Sequence, residues 1–412
     1  MKLLVVQPTG DKRGHYGLYT TKLCHAAGEL GHDVTLCTNR LDVSQYLLVP
    51  PRFRLVEIAD RRLAFDRFDA AVSRAPLYYY WGYFRNSIAV TGAAIRLCQR
   101  ETFDAVAIMD AEFMTSSWLL RRSRREIPPV IMFLWASNFS FSAYHGSMLK
   151  KAYKVVQREV FRRALGNGIQ ALAVLGEWHR DALREQLRPS TGFPIAVIPD
   201  GADPAPDMPD RGAARKQLGL PEDGPLFLFF GILRRDKGVE YLLDAVARLR
   251  VQPFHLVIAG WPMEYTAEAM VETVRRLNIA DRVILRLAYT PDGEVPAYFA
   301  ACDALILPYT RAYTGGSGPL MKGACTYGRP VIATRVSEMG RLVERYELGL
   351  AAAPEDAESL HEQMARFLTL SQIARDAMAA NASALGKNNS WDSLARRLVD
   401  LAETLAASGS SR

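Results

Sequence analysis

No apolar run in this chain approaches the ~18–20 residues that a membrane span requires. The opening MKLLVVQPTG holds one Lys and five apolar residues, Met1, Leu3, Leu4, Val5 and Val6, before Gln7 and Pro8. That stretch is too short for the core of a signal peptide and reads as a buried first strand. Cysteine is scarce: five residues (Cys24, Cys37, Cys98, Cys302, Cys325), odd in number and scattered. No CxxC and no Cys/His ligand spacing appears among them. A disulfide framework and a zinc ribbon are therefore excluded, and a reduced, cytoplasmic setting is expected.

What is present is ordinary globular composition, with 49% hydrophobic and 23% charged residues. At 412 residues the chain is too long for one core and suits two α/β domains of ~150–200 residues each. The net charge of +7 is unevenly spread. Residues 1–200 carry 27 Lys and Arg against 18 Asp and Glu, a surplus of +9, and the remainder is at −2. A basic first half suits anionic partners: phosphates, an anionic lipid surface or nucleic acid. A merely soluble basic surface is the alternative.

Two stretches share the grammar strand, loop, helix, strand. In the first, Leu3–Gln7 leads to a loop bearing Gly10 and Gly14. Tyr16, Tyr19, Leu23, Ala26 and Leu30 then follow helical spacing, and Val34–Thr38 is a strand. The second opens on Leu226–Phe230, a near-continuous apolar run ended by Gly231. Such a run marks a strand buried on both faces. From there to about residue 370 strands and helices alternate, which predicts a parallel sheet covered on both sides. Between the two, Asp203–Asp210 contains Pro204, Pro206 and Pro209 and reads as a linker. The expected fold is two Rossmann-like, doubly wound domains facing across a cleft. The boundaries are residues 1–195 for the first domain, 196–385 for the second, and 386–412 for a closing helix that packs back on the first.

Two motifs carry chemistry. In Phe229-Phe230-Gly231-Ile232-Leu233-Arg234-Arg235-Asp236-Lys237-Gly238, a basic loop leaves a strand and a helix follows. Ligands of such sheets bind at the carboxyl ends of strands, where Arg offers a forked donor and Lys a point charge to phosphate. A solvated charged loop is the bland alternative. In Gly315-Gly316-Ser317-Gly318-Pro319-Leu320, three glycines let backbone approach a ligand ahead of a helix start. Pro319 suits the first helical position, where its missing N–H costs little.

In this order, "FFGILRRDKGVEYLLDA", "HLVIAG", "LNIADRVIL", "YFAACDALILPY" and "GGSGPLMKGACTYGRPVIAT" resemble the group-1 glycosyltransferases (family 4, GT-B fold, retaining). "VIPDGAD", "SWDSLARRLVDL" and the opening "PTGDKRGHYGLYTTKLCHAAGELGHDVTLCT" resemble them too. The resemblance implies a hexosyltransferase with a nucleotide-sugar as co-substrate and no other cofactor. It also implies no divalent metal, in keeping with the absence of any Asp-x-Asp. By that resemblance Arg234 and Lys237 are catalytic and hold the donor diphosphate. Gly14, Gly231, Tyr289, Gly315, Gly316, Ser317, Gly318 and Leu320 complete the donor site. The acceptor, a glycan or lipid-linked molecule of envelope or exopolysaccharide synthesis, meets Tyr16, Asp110 and His145.

The chain departs from the family pattern at several points. The family typically has two glutamates eight positions apart, and here Gly315 and Gly323 stand there. The family's arginine directly after the strand-ending glycine is Ile232, which leaves its task to Arg234. The stretch Val130–Trp135 lacks the family's histidine. An N-cap is an alternative reading of Asp110. The aromatic run Tyr78, Tyr79, Tyr80, Trp81, Tyr83 and Phe84 is either a core-covering helix or a membrane interface. Arg121, Arg122, Arg124 and Arg125, with the basic group from Lys150 to Arg163, form either a solvated face or a peripheral contact with anionic membrane. Rival functions are a nucleotide-sugar epimerase or phosphorylase of the same fold, and a catalytically degenerate donor-binding homologue. A nucleic-acid-binding module leaves the donor-like loops unexplained, so no nucleic-acid partner is expected.

Overall fold

Strand centres in this protein are apolar on both faces because each face is covered. Leu3 and Val5 of the first strand join one buried cluster, and Leu4 and Val6 join another on the opposite side. The structure, a computed structural model, describes residues 1–11, 15–58, 60–65, 76–135, 148–249, 253–316 and 318–409. It divides into two compact units, Met1–Pro199 with Trp391–Arg412, and Asp200–Ser390.

The first unit runs β1 (Lys2–Gln7), α1 (His15–Glu29), β2 (Asp33–Thr38), β3 (Arg54–Glu57), α2 (Pro76–Arg100) and β4 (Ala105–Ile108). It continues with α3 (Phe113–Arg122), β5 (Val130–Leu134), α4 (Met148–Ala164), β6 (Ala171–Val174), α5 (Glu177–Leu187) and β7 (Ile195–Val197). Its strands form a parallel sheet in the order β3-β2-β1-β4-β5-β6-β7. The order reverses between β1 and β4. Helices α2 to α5 bury Val90, Phe113, Phe161 and Leu183 against one face of that sheet.

The second unit opens with α6 (Arg211–Leu218), β8 (Leu226–Phe230), α7 (Val239–Arg248), β9 (His255–Ala259), α8 (Ala267–Arg276) and β10 (Val283–Arg286). After α9 (Val295–Ala301) and β11 (Ala304–Leu307) comes a π-helical segment, Pro319–Cys325, with its proline in the first turn as the sequence predicts. Then follow β12 (Val331–Thr334), α10 (Ser337–Arg345), β13 (Gly349–Ala352), α11 (Ala357–Thr369) and α12 (Gln372–Asn388). The parallel order β10-β9-β8-β11-β12-β13 reverses between β8 and β11. Both sheets are thus doubly wound and Rossmann-like, as the alternating pattern predicts.

The last helix, α13 (Trp391–Gly409), returns to the first unit. Its stripe of Leu394, Leu398 and Leu405 enters the cluster that holds α1, and the Trp391 ring lies 5.3 Å from Tyr19, edge to face. In the second unit one buried charge is fully partnered. Arg215 has no exposed side-chain surface, and its guanidinium donates to the carbonyls of Ala301, Pro221, Glu222 and Gly224 and to Asp303. All five cysteines are free, and no helix among the described residues is long and apolar enough to cross a membrane.

Candidate functional site

In the second unit the loops after β8, β9 and β11 meet at the reversal of strand order, the position where open α/β sheets bind ligands. The approach is so close that it needs glycine. A Cβ on Gly238 would lie 2.0 Å from the Pro308 carbonyl oxygen, and one on Gly260 1.8 Å from that of Gly231. Gly231 itself has φ +121, a backbone conformation that side chains disfavour. The loop is pinned further by the Thr310 amide, which donates to the Asp236 carbonyl at 3.0 Å.

Two cations of this loop are held in different ways. The Arg234 guanidinium makes a forked pair with Asp236, Nε to Oδ1 at 3.0 Å and Nη2 to Oδ2 at 2.7 Å. Lys237 instead lies over two aromatic faces, its Nζ 3.7 Å from the Tyr309 ring centre and 4.2 Å from that of Tyr313. Burial, reinforced by the neighbouring Arg234, lowers the Lys237 ammonium to about 7, with Asp236 acting in the opposite sense. Such cation–π contacts offset part of the desolvation, since the rings present negative faces. Tyr309 and Tyr313 are themselves buried. The Tyr313 hydroxyl donates to the Gly316 carbonyl, so the tyrosine that flanks Lys237 also fixes the glycine loop. Asp236 and the two tyrosines escape a sequence reading that follows charge alone. Their signal is the four-residue interval from Tyr309 to Tyr313, just beyond a buried strand.

Around the glycine loop, Gly315, Gly316 and Gly318 are half-buried and Leu320 is fully buried, while Ser317 lies outside the described residues. Tyr289 is 73% exposed, and its hydroxyl donates to Asp292 at 3.2 Å. Gly323 is closed off: a Cβ there would lie 2.5 Å from Cζ of Phe299. The Phe299 ring stacks on Tyr327 at 4.7 Å with an interplanar angle of 10°. The absence of a side chain at position 323 is therefore matched by an aromatic ring that fills its place.

In the first unit, Asp110 follows β4 at the reversal point with φ +37, unusual for a non-glycine residue. Its carboxylate accepts from Thr9 at 3.1 Å and from Tyr83 at 3.0 Å. It does not cap the following helix. Glu112 does, accepting from the amides of Met114 and Thr115, and also from the side chains of Thr115, Tyr153 and Gln157. A glutamate two places later reaches the free N–H groups because the turn at Asp110 points its carboxylate elsewhere. Tyr16 is half-buried, edge-on to Trp135 at 5.6 Å. Gly14 and His145 lie outside the described residues. Lys154, expected on an outer helix face, turns inward and donates to Gln157 at 2.9 Å.

Two Rossmann-like units in one chain, the second with a cationic loop and a glycine loop at its strand reversal, define the GT-B class. The sequence profile "Glycosyl transferases group 1" matches residues 210–400, and "Glycosyl transferase 4-like domain" matches residues 16–201. The chain belongs to the group-1 glycosyltransferase family. It is 31% identical over 222 residues to a 2-deoxystreptamine glucosyltransferase of Streptomyces kanamyceticus, a match covering 52% of this chain and 54% of that protein. The chain thus spans about half the length of the curated relatives it matches. Among solved structures it resembles the sucrose-phosphate synthase from Thermosynechococcus elongatus, with a TM-score of 0.74, 18% identity, and coverage of 99% of this chain and 100% of that one. It also resembles Anabaena HepE in complex with UDP, with a TM-score of 0.71, 16% identity, and coverage of 98% and 100%. At these identities the structural likeness speaks for the fold.

Proposed function

We propose that this protein transfers a hexose-type sugar from a nucleoside diphosphate sugar to a hydroxyl of a glycan or lipid-linked acceptor, with retention of configuration. The observation that carries the reading is the pairing of Arg234 and Lys237 in one pinned loop at the strand reversal of the second unit. Charge that develops on a departing diphosphate needs preorganised donors, and each is typically worth ~3–4 kcal/mol. Arg234 supplies a fork and Lys237 a compact charge, so the leaving group is stabilised without a divalent ion. Backbone amides of Gly315, Gly316 and Gly318 would face the same phosphates, and exposed Tyr289 would lie against the base. HepE's complex with UDP supports a nucleotide donor for a chain of this fold. Asp110, fixed by Thr9 and Tyr83, and Tyr16 would meet the acceptor. Envelope or exopolysaccharide synthesis is the setting we infer, with the enzyme at the cytoplasmic face of an anionic membrane.

A thermal-shift screen against UDP-, GDP-, ADP- and dTDP-sugars, with EDTA present, tests this reading. A ligand at ~100 times its dissociation constant stabilises a fold by ~2.7 kcal/mol. A shift with one base that disappears in both Arg234→Ala and Lys237→Ala is expected. Stabilisation that needs a divalent ion, or that survives both substitutions, would remove the phosphate role from this loop. Product analysis with donor alone separates transfer from epimerisation, and dependence on free phosphate would mark a phosphorylase.

A further inference from the structure

We propose that Glu355 is a positioning residue for the donor-phosphate loop, holding through Arg311 the turn on which Lys237 rests. This rests on the reading of Lys237 as a phosphate-binding cation given above. Glu355 lies between β13 and α11, outside the three loops that meet at the strand reversal. Its carboxylate nevertheless reaches one of them. Oε1 accepts the Arg311 amide at 3.0 Å, and Oε2 accepts Nη1 of the same residue at 2.5 Å.

The backbone at Glu355 is strained. Its φ is +60, and it follows Pro354 in a turn. A turn with proline first and a positive φ second ordinarily takes glycine or asparagine at the second place. Glycine would adopt this backbone without strain, and a glutamate does not. Two structural reasons for a glutamate fail. The acid that caps α11 is the neighbouring Asp356, which accepts the Ser359 amide at 3.0 Å. The ion pair with Arg311 adds little to the fold, because the Arg311 side chain is 66% exposed and water screens the charges. A strained backbone kept for a weakly stabilising contact points to what that contact orients.

What it orients is a turn. The Tyr313 amide donates to the Thr310 carbonyl at 3.0 Å, so Arg311 and Ala312 are the central residues. Tyr309 stands just before this turn and Tyr313 closes it, and the Lys237 ammonium lies over both rings. Three further hydrogen bonds hold the ends. The Thr310 amide donates to the Asp236 carbonyl, the Thr334 hydroxyl to the Tyr309 carbonyl at 2.6 Å, and the Tyr313 hydroxyl to the Gly316 carbonyl. Glu355 fixes the middle, because it takes the Arg311 amide as well as the side chain. Without it the turn is anchored only at its ends, and the spacing of the two rings beneath the ammonium is free to vary. Both bonds of Glu355 go to Arg311, so it acts on Lys237 through the main chain of the turn and not by contact.

Two variants of the full chain test the proposal. Glu355→Gly removes the carboxylate and the strain together, and Glu355→Gln keeps an acceptor for the Arg311 amide without the charge. Glu355→Gly should melt no lower than the parent, since the strained φ is relieved. Hydrogen exchange read by mass spectrometry on peptides covering 308–316 should quicken about tenfold in Glu355→Gly, less in Glu355→Gln, and not at all across β11. Calorimetry with UDP, GDP, ADP and dTDP, with EDTA present, measures the consequence. The diphosphate that binds the parent should bind Glu355→Gly about five- to tenfold more weakly, as the cation is misplaced. In a Lys237→Ala background Glu355→Gly should add nothing further, because its effect passes through Lys237. Unchanged exchange, unchanged affinity, an equal loss in the Lys237→Ala background, or a melting temperature that falls with the affinity would each overturn the proposal. Failure of the donor reading looks different: no diphosphate binds the parent, or Lys237→Ala binds as well as the parent. The exchange measurement needs no nucleotide and still decides whether Glu355 holds the turn.

Discussion

Asp236 holds Arg234 by both carboxylate oxygens, and its own carbonyl accepts the Thr310 amide. One residue thus positions the guanidinium and ties the loop after β8 to the loop after β11. It also competes for the guanidinium with any incoming diphosphate. The pair is half-buried, and one near the surface is worth on the order of 1 kcal/mol. Asp236→Asn should bind nucleotide about two- to fivefold more tightly, as that pair is lost. Turnover should fall about tenfold as the fork loses its orientation, a loss of ~1.4 kcal/mol in the transition state. Steady-state kinetics with donor varied would show the split; an unchanged kcat would remove Asp236 from any positioning role.

Lys237 makes donor affinity depend on pH. Its ammonium is lowered to about 7 in the free protein, and a diphosphate would draw it back toward the ordinary value of ~10.4. Donor binding therefore takes up a proton above about pH 7. Affinity should fall by up to about tenfold per pH unit above that point. Fold stability moves the other way in this window, because the unfolded chain binds the proton that the folded chain has released. Calorimetry in buffers of different ionisation enthalpy would detect the uptake. A flat affinity from about pH 6 to 9 would contradict the assignment, since Lys237 then carries no linkage to the phosphates.

Gly323 and Phe299 are coupled by volume. Restoring a glutamate at 323 forces a side chain into the Phe299 ring, 2.5 Å from where its Cβ would lie. Gly323→Glu alone should destabilise the second unit by ~1–3 kcal/mol or more. Adding Phe299→Ala should make the double variant more stable than the sum of the two losses by about 1 kcal/mol. Thermal melts of the four proteins measure the coupling, and strict additivity would show that the ring yields freely.

Arg215 is a buried charge with a full set of partners. Arg215→Met leaves four carbonyls without that donor and should cost ~3–5 kcal/mol. Urea titration followed by circular dichroism would register an earlier transition of the second unit. Nucleotide binding below that transition should stay normal, because the residue sits on α6 and reaches the turn before β8 and Asp303 rather than the donor loops.

The two sheets were legible in the sequence because parallel strands are buried on both faces and announce themselves as unbroken apolar runs. Leu226–Phe230, His255–Ala259 and Ala304–Leu307 are read to the residue. Short edge strands such as Arg54–Glu57, with a charged, exposed residue at each end and no fully buried position, give no such signal. The cationic loop was legible as charge after a glycine. Its internal pairing was not, because Asp236 beside Arg235 looks like any solvated acid. The division of labour between Asp110 and Glu112 depends on one positive φ, which composition does not reveal. Nor does a glycine at 323 disclose that an aromatic ring from another helix has taken its space.

The return of α13 to the first unit sets an order of assembly. Residues 200–390 are contiguous and leave the ribosome with every strand of their sheet. The unit that begins at Met1 is translated first, yet it lacks Trp391, Leu394 and Leu398 until the final helix emerges. Tyr19 and its neighbours on α1 have only part of their cover until then. Elongation therefore finishes the later-born half before the earlier one, and a stall or truncation near residue 390 would leave a folded second unit joined to a first unit with an open apolar seam.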